Sequence, residues 1–212
     1  KQGESLTHYE VERGDVLIAD RGLAHRRGIR HVVSHGGDVI VRMNLVNVPV
    51  QDETGQTKKL LPWLRKLKVG QAADLRAWIK DEQGLIPVRV CAIKKSAAQT
   101  RKAQDKIRQE SAKDKRVAQP QTLEGAAYVV VLSTLLQPSA HTLLELYRCR
   151  WQVELAFKRL KSLLQLGHLK KTDPQGAKAW LQGKLLVASL IETLIAVGDH
   201  FSPWGYYLPT TR

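Results

Sequence analysis

Apolar residues in this chain fall into two textures. The first is short and unbroken. Val16–Ala19 (VLIA) is a continuous apolar run, as expected of a strand buried on both faces in a sheet covered by helices. It ends abruptly at Asp20-Arg21-Gly22. His25–His35 predicts a helix crossing back over the sheet, Gly36-Gly37 ends it, and Asp38–Asn44 (DVIVRMN) predicts the next strand. A further strand is possible at His8–Glu12, and Ala126–Leu135 (AAYVVVLSTL) is strongly β-type. Between them the pattern turns antiparallel. Leu45–Val50 and Gln56–Leu61 flank a turn at Asp52-Glu53-Thr54-Gly55, and Ala73–Ile79 and Leu85–Ile93 are joined by DEQG, so two hairpins are expected. Pro87 places its strand at an edge or a bulge. With no crossover helices, residues 45–125 read as a β-rich insertion in an α/β domain.

The second texture is helical. From Ser139 to Gly167 there is no Pro or Gly until the last residue, so one long helix is predicted, opened by Ser139 and stopped at Gly167. At about 100° per residue, Leu146, Cys149, Val153, Ala156, Phe157, Leu160, Leu163 and Leu164 share an apolar arc that should face a core. Tyr147, Arg150, Glu154 and Lys161 fall within about 60° beside that arc, with Lys158 at its edge. Such a row suits a solvated face with weak ion pairs. The helix by itself favours that reading over the alternative, a metal-binding carboxylate set among phosphate-binding groups. Thr172-Asp173-Pro174 caps a last helix, Gln175–Val197, and residues 201–212 form an aromatic, Pro-containing tail.

Charge narrows the function. The 212 residues carry 34 Lys/Arg against 20 Asp/Glu, a net of +14, which favours nucleic acid, an anionic membrane or acidic protein as partner. Lys94–Arg116 holds nine Lys/Arg and three Asp/Glu with Ile107 as its one sizeable apolar side chain. It reads as a helix projecting into solvent or as a disordered basic loop. Trp63 and Trp78 add aromatic faces nearby, with core packing the default for each. The longest apolar run, Leu185–Val197, is broken by Ser189, Glu192 and Thr193 and is too short to span a bilayer. Two cysteines, Cys91 and Cys149, do not suggest a disulfide framework, and a cytoplasmic protein is expected. His31 and His35 have a zinc-pair spacing but no third ligand signal, which favours a solvated basic helix. Asp20, at the carboxyl end of a buried strand, lies where open α/β sheets place their chemistry, and it equally suits a turn-capping role.

The spacing Tyr147-x2-Arg150-x3-Glu154-x6-Lys161, preceded by a strand ending in Asp20, resembles the Y-R-E-K signature of bacterial cut-and-paste transposases of the insertion-sequence-four family. The likeness covers about Val11 to Val197. It implies a ribonuclease-H-like catalytic core with a β-rich insertion before the glutamate helix. Residues 1–44 would be a partial core, 45–125 the insertion with its basic helix or loop, and 126–200 the core strand, catalytic helix and C-terminal helix. By the resemblance, Asp20 and Glu154 are catalytic and metal-binding, and Tyr147, Arg150 and Lys161 hold DNA phosphates. The implied cofactor is Mg, with Mn as substitute. Two such ions about 4 Å apart stabilise the entering and leaving oxygens of a phosphodiester together. The implied partners are double-stranded DNA, both transposon ends and target, and a second copy in a synaptic homodimer, in a nucleoid-associated setting.

One feature of the pattern has no counterpart. The family's first aspartate lies on a strand upstream of the Asp20 strand, and no residue here matches it. Asp15 is five residues before Asp20 on the same strand, roughly 16 Å away at 3.3 Å per residue. The sequence therefore reads as the C-terminal part of a catalytic domain, its N-terminal strands missing, and unable to cleave DNA alone. The alternative is a non-catalytic basic nucleic-acid-binding protein; a third reading, a structural α/β protein with an accidental pattern, predicts no affinity for DNA.

Overall fold

The computed structural model describes residues 5–43, 45, 48–163 and 173–200. They fall in two compact units, Lys1–Arg150 and Trp151–Arg212. In the first, β1 (Val16–Ala19), α1 (Arg26–Ser34) and β2 (Asp38–Arg42) are followed by α2 (Leu60–Arg65) and the hairpin β3 (Ala72–Asp81) and β4 (Gly84–Lys94). Then come α3 (Ala97–Lys113), α4 (Pro120–Gly125), β5 (Tyr128–Ser133) and α5 (Ala140–Arg148). The five strands form one sheet in the order β1-β2-β5-β4-β3. Only β1 and β2 are parallel, and α1 supplies the crossover that parallel neighbours need.

Alternation along the strands divides the core in two. Val39 and Val41, Val90 and Ala92, and Val130 and Leu132 belong to one apolar cluster, with Ile29 and Val32 of α1 and Leu60 and Leu64 of α2. Their neighbours Ile40, Cys91 and Val131 belong to the other, with Leu143, Leu144 and Tyr147 of α5. Each fully buried Val, Leu or Ile in these layers contributes roughly 1.5–3 kcal/mol.

Several expectations change. β1 is not buried on both faces: it ends the sheet among the described residues, Val16 is exposed and only Ala19 is buried. The residues around His8 form a short 3-10 turn, Leu6–His8, instead of a strand. Among the described residues of the first expected hairpin only an isolated bridge, Gln51 with Thr57, joins its two arms, and Leu60–Arg65 is helical. The second hairpin forms, and its β4 pairs with β5, so residues 72–94 continue the same sheet as β2. Pro87 lies in the part of β4 that extends past β5, so its missing N–H leaves no ladder bond unmade there. The basic stretch is a helix: Ser96 and Gln99 form a reciprocal capping box at the start of α3, which buries none of its residues.

The predicted long helix is broken. α5 ends at Arg148 and α6 (Arg150–Leu163) begins after Cys149, whose N–H bonds the Leu146 carbonyl three residues back. The buried face of α5 is Leu143, Leu144 and Tyr147, because these meet the sheet at Ile40, Cys91 and Val131. Leu146 and Cys149, expected inside, are exposed. The Gly167 stop and Leu164 lie outside the described residues, as do the side chains of Val153, Ala156, Phe157, Leu160 and Leu163. In the second unit α6 is followed by α7 (Pro174–His200), where Asp173 Oδ1 accepts from the Gly176 N–H as an N-cap.

Candidate functional site

Asp20 follows the last residue of β1 and caps the 3-10 turn Arg21–Leu23, Oδ1 accepting the Arg21 N–H at 2.8 Å. The capping role is therefore observed, and two helical residues also meet the same carboxylate. The Tyr147 hydroxyl lies 3.4 Å from Oδ1, at the long end of hydrogen-bond reach, and Arg150 Nη2 is 4.0 Å from Oδ2. Arg150 Nε donates to the Tyr147 hydroxyl at 3.2 Å, with its guanidinium 5.7 Å from the ring centroid. The tyrosine ring is an anchor as well as a polar group. It is buried against the sheet, and only its hydroxyl reaches the strand end.

Local interactions set where α5 starts. Ser139 caps it by accepting the Thr142 N–H at 3.1 Å. Arg89, buried on β4, pairs with Asp74 on β3 and donates through Nη1 to the carbonyls of Leu136 and Pro138, just ahead of the cap. Sequence reading missed Arg89, since an arginine in an alternating strand looks solvated until its partners are known.

The electrostatics favour an ionised acid. Burial alone would raise the Asp20 carboxyl, but the Arg21 N–H bond and the charges of Arg150, Arg42 and Arg21 outweigh it and hold it below the ordinary carboxylate value. Burial raises the Tyr147 phenol, aided by the Asp20 charge and opposed by Arg150 and Arg42, so its proton stays in place. Arg42, the last residue of β2, is a second residue that the sequence did not single out. The only signal was its place at the end of the strand next to β1.

Glu154 is half-exposed and Lys161 exposed, both on α6 and within the second unit. Asp20, Tyr147 and Arg150 are thus brought together within the first unit. Among the described residues no group of three or more His, Cys, Asp or Glu side chains could hold a metal ion. Asp20 offers one ionised hard-oxygen ligand, and the groups facing it are a phenol and a guanidinium. The first unit by itself therefore does not fit a divalent ion. His31 and His35 lie with ring centroids 4.5 Å apart, and each ring approaches a backbone carbonyl, Tyr9 at 3.1 Å and His31 at 2.8 Å. Their spacing is that of a helix end.

Comparison with known proteins gives consistent matches. A family model described as "Transposase DDE domain" matches residues 2–190. The putative transposase InsL for insertion sequence element IS186A of Escherichia coli K12 is 32% identical over 211 residues, covering 96% of this chain and 57% of that protein. The transposase for insertion sequence element IS421 of Escherichia coli is 32% identical over the same shares. That for IS231F of Bacillus thuringiensis subsp. israelensis is 27% identical over 198 residues, 84% of this chain and 41% of that protein. The chain spans a little over half the length of the first of these relatives.

Proposed function

Because the chain belongs to the transposase DDE-domain family, we propose that it is part of the catalytic machinery of a DNA transposase of the insertion-sequence-four type. The proposed reaction is phosphodiester hydrolysis at transposon ends followed by strand transfer to double-stranded target DNA, in a homodimeric complex. The observation that carries the proposal is the meeting of Asp20 with Tyr147 and Arg150. Two members of the helical signature reach the one acid at the carboxyl end of a parallel strand, where α/β sheets concentrate chemistry.

Asp20 and Glu154 would hold Mg or Mn through carboxylate oxygens. When bound, such ions lower the pKa of an attacking water and stabilise the leaving oxygen. The chain's own residues do the rest. Arg150 grips a phosphate bidentately, Lys161 adds a point charge, and the Tyr147 hydroxyl donates a hydrogen bond. An ionised Asp20 attracts either the guanidinium or a divalent ion. No residue of this sequence matches the third acid of the Asp-Asp-Glu set, and the chain alone is expected not to nick DNA.

The test is binding of a labelled DNA duplex with and without Mn. Asp20→Asn and Glu154→Gln should each abolish the Mn-dependent part of the affinity. A second reading, a non-catalytic nucleic-acid binder in which Arg150 simply neutralises Asp20, is favoured by the lack of a described three-ligand cluster. It predicts that Glu154→Gln strengthens binding equally in Mn and in EDTA, and that result would defeat the transposase proposal.

A further inference from the structure

A groove with a cavity of about 620 Å³ opens beside the site, between the sheet and α3. Arg21, Arg42, Lys58, Lys59, Lys95 and Lys106 line it, with Arg65 as a seventh cation and Glu110 as its one acid. Of these cations only Arg65, with Glu124, and Lys106, with Glu110, form ion pairs among the described residues. The remaining positive charge is held close. Burial lowers the pKa of Lys95, and the Arg42 and Arg21 charges lower it further.

We infer that this groove carries the phosphate backbone of double-stranded DNA as it leaves the Asp20 strand end, an inference that rests on the function proposed above. Continuity is the first argument. Arg21 and Arg42 line the groove and also act on the Asp20 carboxylate, so one cationic surface extends from the strand end to Lys106 on α3. Charge complementarity is the second, since clustered cations with a single acid among them suit a polyanion. The wall also selects the form of DNA. Its aromatic side chain, Tyr128, is buried, as are the apolar residues Met43, Val48 and Val50. With no exposed ring among the described lining residues on which unpaired bases could stack, contact is through phosphates, which a duplex presents outward.

The experiment titrates the salt dependence of binding of a short labelled duplex to the full chain in EDTA. Replacing Lys58, Lys59 and Lys106 by Gln should flatten the log K against log salt slope by about three. A control triple at Lys66, Lys68 and Lys113, cations outside the groove, should leave the slope near the wild-type value. Circular dichroism checks that both triples fold. Equal slopes for groove triple and wild type, or equal losses for both triples, overturn the inference. So does full competition by poly-glutamate at matched charge, which marks an acidic-protein surface instead. If Asp20→Asn and Glu154→Gln leave the Mn-dependent part of the affinity unchanged while the groove triple still flattens the slope in EDTA, the transposase reading fails and the groove stands.

Discussion

Replacing Arg89 by Met tests how the Tyr147 helix is held. The Arg89 side chain is 8% exposed, and its Nε and Nη2 lie 3.1 and 3.0 Å from Asp74 Oδ2. Its Nη1 donates to Leu136 O at 3.2 Å and to Pro138 O. Methionine preserves much of the apolar stem, so the change removes mainly the charge and its donors. Charged hydrogen bonds contribute about 1.5–3 kcal/mol each, and breaking a buried pair costs about 3–5 kcal/mol. Asp74 is 38% exposed and regains water, which moves the expected loss to about 2–4 kcal/mol. With a urea m-value of about 2 kcal/mol/M, the midpoint should fall by about 1–2 M. Arg76 is the control: it sits opposite Arg89 across β3 and β4 but is exposed. Arg76→Met should change stability by less than about 0.5 kcal/mol. If Arg89→Met costs no more than that control, the carbonyls before α5 are not held by this guanidinium, and the account of how Tyr147 reaches Asp20 fails.

Three further outcomes are expected. Cys149 is exposed, whereas Cys91 is buried with its thiol pushed up to about 11, so a thiol reagent at pH 8 should modify one equivalent per native chain; two would place Cys91 outside the core. The bidentate bond from Arg30 to Asp81, at 2.7 Å for both contacts, holds the Asp81 carboxyl below its ordinary value. Its stabilisation is therefore fully present above the ordinary carboxylate range, about pH 4, and is lost as pH falls through the lowered value. The stability gap between wild type and Arg30→Met should close in acid, and a gap that widens there would contradict the assignment. A Cβ at Gly37 would stand 2.7 Å from Val11 Cγ1 and 3.2 Å from the Asp15 carbonyl, so Gly37→Ala should cost about 1–3 kcal/mol in urea unfolding; an unchanged midpoint would refute that crowding.

Short-range chemistry was legible from the residues, and long-range pairing was not. The β1-α1-β2 unit, the β3–β4 hairpin and the Asp173 cap follow from runs, turns and capping residues within a few positions of one another, whereas the stretch that forms α3 read equally as a helix or a disordered loop. That β4 pairs with β5, and that β1 is the sheet's last described strand, depends on partners far along the chain. No local period encodes them. The Tyr147 region shows how a right spacing can survive a wrong orientation. The helical wheel put Leu146 and Cys149 inside and Tyr147 at the flank. In the structure the helix breaks at Cys149, and α5 turns Leu143, Leu144 and Tyr147 to the sheet. The step from Tyr147 to Arg150 nevertheless spans the break with both side chains at Asp20, and Arg150 Nε still meets the Tyr147 hydroxyl. A tyrosine can do this because its ring fills an apolar layer while its hydroxyl works at the rim; an arginine or lysine there would bury its charge. The wheel ranks whole side chains as inside or outside, and Tyr147 is both.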